Sequence, residues 1–88
     1  MDEKKPMKSK KLKIIDHMGT YYATFDGTQI WKVEKWIFNL LMMCNGKKTY
    51  DEIAQEIVTK FGLPFDDVRK SLIPIFEELE RDGLIVNL

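Results

Sequence analysis

Cysteine and histidine each occur once among 88 residues, proline three times, and no apolar run approaches the ~20 residues that a membrane span requires. Each scarcity excludes something. A single Cys44 cannot form an internal disulfide, and on an apolar helical stripe it reads as a small core hydrophobe. The single His17 has no Cys, Asp or Glu at metal-ligand or triad spacing and reads as a turn residue. Gly-rich phosphate loops, paired His or Cys ligand motifs and nucleophile elbows are missing. Asp66-Asp67 and Glu77-Glu78 look like paired carboxylates, but in a helical context they complement a helix dipole and line a solvated face. No enzymatic activity, metal or cofactor is expected of this chain alone. Residues 1–13 carry no apolar signal-peptide core, so the expected location is the cytoplasm, with no membrane partner.

What is present is an ordinary globular composition, 44% apolar and 32% charged, in a length that permits one domain burying ~60–65% of its unfolded surface. The net charge of zero conceals an asymmetry. Six lysines oppose only Asp2 and Glu3 in the first thirteen residues, giving +4, and the remaining 8 bases and 12 acids give −4. Residues 1–10 are expected to form a flexible basic tail, and residues 11–88 a single domain.

The chain divides near Val33 into a strand-rich front and a helical back. β-prone runs at 11–16, 20–25 and 28–33 are separated by Met18-Gly19 and Asp26-Gly27, and Asp-Gly supplies the positive φ of a tight hairpin. A three-stranded antiparallel meander is expected, with the third strand an unpaired edge. From Glu34 the period becomes helical. Trp36, Ile37, Leu40, Leu41 and Cys44 form the core stripe of a first helix that ends near Asn45-Gly46. A second helix over 50–61 buries Ile53, Ala54, Ile57, Val58 and Phe61; a third over 65–82 buries Val68, Leu72, Ile75, Phe76 and Leu79, and Leu84-Ile85-Val86 can pair or pack behind it.

Thr49 and Glu52 form a capping box at the start of the second helix, so a tight helix-turn-helix is written locally. Pro74 removes one hydrogen bond inside the third helix, at a cost of ~3 kcal/mol unless the helix bends, so a kink is expected between residues 70 and 74. The fold class is α+β and winged-helix-like: a three-stranded antiparallel N-terminal sheet followed by a three-helix bundle containing the helix-turn-helix.

Trp31 and Val33 closing the third strand, Asn45-Gly46 ending the first helix, the Thr49, Glu52 and Ile53 helix start, and the terminal Leu79, Gly83, Leu84 and Ile85 occur in the order and spacing of one family. Over residues 12–86 the chain resembles the PqqD-like family, the recognition elements of ribosomally made and modified peptides. Many relatives carry Leu-Asn before the first helix, where this chain has Val33-Glu34. The resemblance implies a free-standing peptide chaperone that binds the leader segment of a precursor peptide by β-strand addition. It also implies presentation of that peptide to a modifying enzyme, of radical S-adenosylmethionine type by resemblance.

It further implies a site. The backbone of Thr28, Gln29, Ile30, Trp31, Lys32 and Val33 would pair with the leader. Leu72, Ile73 and Phe76 would wall the groove, and Arg69 and Lys70 would meet acidic leader residues. Simple core packing accounts for Trp31, Leu72 and Phe76 equally well. Phe38 and Met42, an i, i+4 pair off the core stripe, form an expected partner surface for the modifying enzyme or a second copy of the chain, with a cover inside the monomer as the alternative. Two rival functions remain: a winged-helix DNA-binding regulator, and a structural accessory or dimerisation subunit. Charge argues against nucleic acid, because the third helix carries six acids against three bases.

Overall fold

Turn chemistry sets the sheet. In the computed structural model, which describes residues 4–88, Met18 (φ 53°) and Gly19 (φ 83°) make a two-residue turn with positive φ at both positions. That geometry suits the right-handed twist of a hairpin. It joins β2 (Lys13–His17) to β3 (Thr20–Thr24), with His17 opposite Thr20. β3 pairs in turn with β4 (Ile30–Val33), giving an antiparallel sheet in the order β2-β3-β4.

The second hairpin is longer than expected. Thr24 pairs with Ile30, so residues 25–29 form a five-residue loop rather than a tight Asp-Gly turn. Asp26 is the cause, because its Oδ1 accepts from the Thr28 amide (2.9 Å) and the Gln29 amide (3.1 Å), which takes both residues out of the strand.

Three helices follow: α1 (Lys35–Met43), α2 (Tyr50–Phe61) and α3 (Phe65–Arg81). The capping box on α2 is present in full. Thr49 Oγ1 accepts from the Glu52 amide (3.2 Å), and Glu52 Oε1 accepts from the Thr49 amide (2.9 Å). α3 continues through Pro74, which sits on the exposed side. The core combines Ala23 and Val33 of the sheet with Leu40 and Leu41 of α1, Ile53 and Ala54 of α2, and Val68, Leu72, Phe76 and Leu79 of α3. Two expected core residues lie outside it: Trp36 is 51% exposed and Phe61 is also exposed.

The N-terminal expectation needs the largest correction. Residues 1–3 lie outside the described residues, but Pro6–Lys8 form a strand, β1, paired antiparallel with β5 (Ile85–Asn87). Pro6 is fully buried. The Lys8 amide donates to the Cys44 carbonyl and the Gly46 amide to the Pro6 carbonyl, both at 2.9 Å, so β1 also closes over the turn between α1 and α2. Gly46 has φ 78°, and a Cβ on it would lie 2.8 Å from Leu88 Cδ1 and 3.3 Å from Met7 Sδ. The positive φ favours glycine there, while the close atoms are the mobile ends of the Leu88 and Met7 side chains, which can move aside. The described residues are thus a small α+β domain, a three-stranded antiparallel sheet and three helices closed by a second, two-stranded ribbon. No helix among them is long and apolar enough to cross a membrane.

Candidate functional site

The geometry of the site begins with the backbone of β4. In an antiparallel ladder, alternate residues turn both N–H and C=O toward the same neighbour. A two-residue turn makes His17 and Thr20 the closing hydrogen-bonded pair, so Tyr22 and Thr24 also face β2, while Tyr21 and Ala23 face β4. Their partners on β4 are Val33 and Trp31. By the same alternation Ile30 and Lys32 point N–H and C=O away from the sheet, and among the described residues no strand lies beyond β4.

Side chains alternate along the same strand. Residues opposite one another in a ladder share a face, which puts Trp31 and Val33 with Ala23 and Tyr21 on the side that packs against the helices. There β4, the start of α1 and the C-terminal half of α3 border an open channel of about 330 Å³. The α3 residues lining it, Ile75, Glu78, Leu79 and Asp82, recur at i, i+3, i+4 and i+7, one stripe of the helix. Val33, Leu79 and Leu84 form a buried floor, with Ile37 and Ile75 half-buried beside them.

Two indoles stand at the sides, and each is held. Trp31, 37% exposed, packs on Phe25 with ring centroids 5.6 Å apart. Trp36 donates from Nε1 to Glu34 Oε2 at 2.6 Å. The charged groups at the channel are Glu34, Glu78 and Asp82 against Lys32 alone, so its rim is negative.

Of the residues that the resemblance implied, Trp31, Lys32 and Val33 line this channel, and Ile30 stands beside them on the free edge. Thr28 and Gln29 do not; their amides belong to the Asp26 turn. Those two bonds hold the Asp26 carboxyl below its ordinary range. Leu72 and Phe76 are core residues, Phe76 with no exposed surface and its ring stacked on Tyr50 at 4.3 Å. Arg69 and Ile73 lie on another side of α3, around a cleft shared with Tyr50, Asp51 and Glu77, where Arg69 Nε pairs with Asp51 Oδ1 at 2.6 Å. Lys70 is exposed and precedes Ile75 by five residues, about 140° away around the helix. The wall of the channel is therefore Ile75, Glu78, Leu79 and Asp82. The i, i+4 repeats Ile75/Leu79 and Glu78/Asp82 were the signal in the sequence, but choosing that stripe over the one holding Leu72 and Phe76 required knowing where β4 runs.

The expected pair on α1 also separates. Phe38 stacks on Tyr21 of the sheet, centroids 4.2 Å apart, and is packed against the core. Met42 is exposed and joins Trp36, Phe61 and Leu63 along a second, larger groove of about 600 Å³.

Chemically the channel is suited to binding. Burial pushes the Cys44 thiol up to about 11, and the Sγ–H donates to the Leu40 carbonyl at 3.3 Å, so it is neither exposed nor ionised near neutral pH. His17 is exposed at the far hairpin. Among the described residues no three His, Cys, Asp or Glu side chains are grouped to hold a metal ion. No family model, curated protein or solved structure matches this chain.

Proposed function

We propose that this protein takes up an extended peptide segment as a fourth strand along β4 and presents it to a separate modifying enzyme. In this reading it is a free-standing, winged-helix-like recognition element of the PqqD-like kind, and the partner enzyme is of the radical S-adenosylmethionine type. The observation that carries the reading is the free edge of β4, with Ile30 and Lys32 turned outward, running beside an apolar channel. Added-strand hydrogen bonds contribute only ~0.5–1.5 kcal/mol each, net of water, and they are blind to sequence. One apolar side chain seated in the channel contributes a further ~1.5–3 kcal/mol and supplies the choice of partner.

The test uses proline on the free edge. Proline at Ile30 or Lys32 deletes an outward donor without removing a bond to β3. Ile30→Pro and Lys32→Pro should each weaken calorimetric binding of a decapeptide selected on the natural protein by roughly tenfold, with the helical circular dichroism unchanged. Unchanged affinity in both variants would mean that the peptide docks elsewhere.

A further inference from the structure

We infer that the segment accepted along β4 is basic: an apolar residue seated over Ile75 and Leu79, with lysine or arginine at a neighbouring inward position, where it meets Glu34, Glu78 and Asp82. This rests on the strand-addition reading and specifies its ligand. Three features of the channel lead to it. The first is the balance of charge, three carboxylates against one ammonium around an apolar floor. An acidic segment would bring like charges together at this rim, whereas a basic one is complementary.

The second feature is the placement of Arg69 and Lys70, the bases that would have favoured an acidic peptide. Neither lines the channel, and Arg69 is paired with Asp51. The third is spacing. Glu78 of α3 and its cap Asp82 are four residues apart, a rise of about 6 Å, and Ile75 and Leu79 repeat the interval. In an added strand, inward side chains recur every second residue, about 6.6–6.8 Å. An added strand that followed the α3 stripe would place an apolar residue and a basic one against the two pairs. Glu34 is oriented beforehand by the Trp36 indole, and its carboxylate retains acceptor sites for an ammonium or guanidinium.

The experiment is selection of a displayed library of random decapeptides on the full-length protein, followed by titration of the selected peptides. Lysine and arginine should be enriched over aspartate and glutamate. Each selected peptide should lose binding to Lys32→Pro, although that change removes a positive charge and would otherwise favour a basic ligand. The double variant Glu78→Lys, Asp82→Lys, both positions exposed, should keep its thermal midpoint and weaken the basic peptides roughly tenfold or more, at about two- to fivefold for each exposed charge removed and more for its reversal. The same variant should now select acidic peptides. Binders that depend on the β4 edge but show no charge preference, or an acidic one, overturn this inference and leave strand addition standing. Binders that tolerate both Ile30→Pro and Lys32→Pro, or a library that yields none, overturn strand addition as well.

Discussion

Glu52 carries a local bond whose strength depends on its charge. Its carboxylate accepts from the Thr49 backbone amide, and that bond, the largest influence on the group, holds its pKa below the ordinary 4.5. A carboxyl more acidic when folded than when unfolded stabilises the fold above its unfolded pKa, and the contribution is lost as pH falls through the folded value. Glutamine can make the same capping bond without titrating. Glu52→Gln should therefore show a smaller fall in thermal midpoint than the natural chain as pH is lowered from neutral to about pH 3, through the range below 4.5 where the contribution is lost, as followed by circular dichroism. Equal losses in the two chains would show that the Glu52 carboxylate does not contribute through its charge. Trp36 and Phe76 illustrate a different aspect of this scale. Both are large and apolar and both fall on helical stripes, yet Phe76 is fully buried and Trp36 is half exposed, with its N–H bound to Glu34. Periodicity assigns a residue to a face, and only the neighbouring elements determine whether that face is covered.

Among the elements, β1 departs most from what composition suggests. A lysine-rich start reads as a solvated tail, but Pro6, Met7 and Lys8 pair with Asn87, Val86 and Ile85, and the Leu88 amide donates to the Lys5 carbonyl at 3.0 Å. Lysine is compatible with this, because its long stem can lie along the surface while its ammonium finds an acceptor. Lys8 Nζ donates to the Leu12 carbonyl at 2.8 Å. A chain beginning at Ser9 loses the ribbon and its bonds to Cys44 and Gly46, and uncovers part of Ile85 and Cys44. At ~1 kcal/mol for each hydrogen bond and more for the uncovered apolar surface, the loss should reach about 3 kcal/mol or more. Urea denaturation measures it as a lower midpoint, and an unchanged midpoint would return residues 4–8 to the status of a dispensable tail. The helices, by contrast, were legible to within a residue or two. α2 starts at its capping box, and α3 keeps its period through Pro74.

At the scale of the whole molecule, positive and negative charge are segregated. The first thirteen residues hold six of the 14 bases, while α3 and its cap Asp82 carry six acids against three bases. A helix of that sign opposes a polyanion whose binding depends on phosphate contacts. Fluorescence anisotropy with a labelled random duplex should show only weak association, which fades between about 50 and 200 mM salt as the lysine contacts are screened. Tight, sequence-selective binding that persists at the higher salt would favour the DNA-regulator reading over the peptide one. The same segregation leaves the β4 channel with its negative rim.

What the sequence determined by itself is whatever neighbours within about four residues decide: the Met18-Gly19 turn, the capping box and the buried stripe of α3; the five-residue loop at 25–29, which shifts β4 by one residue and so turns Ile30 and Lys32 outward, was not among them. Such interactions close small loops at low entropic cost and leave a periodic or turn-specific signature. Tertiary structure decided the rest. It chose which stripe of α3 faces β4, put Arg69 beside Asp51 and Phe38 under Tyr21, and joined the two ends of the chain in β1 and β5. These contacts join residues remote in sequence, and each competes with other pairings of the same apolar and basic residues. Only simultaneous packing of all the elements selects among them, because a core filled at native density admits few arrangements.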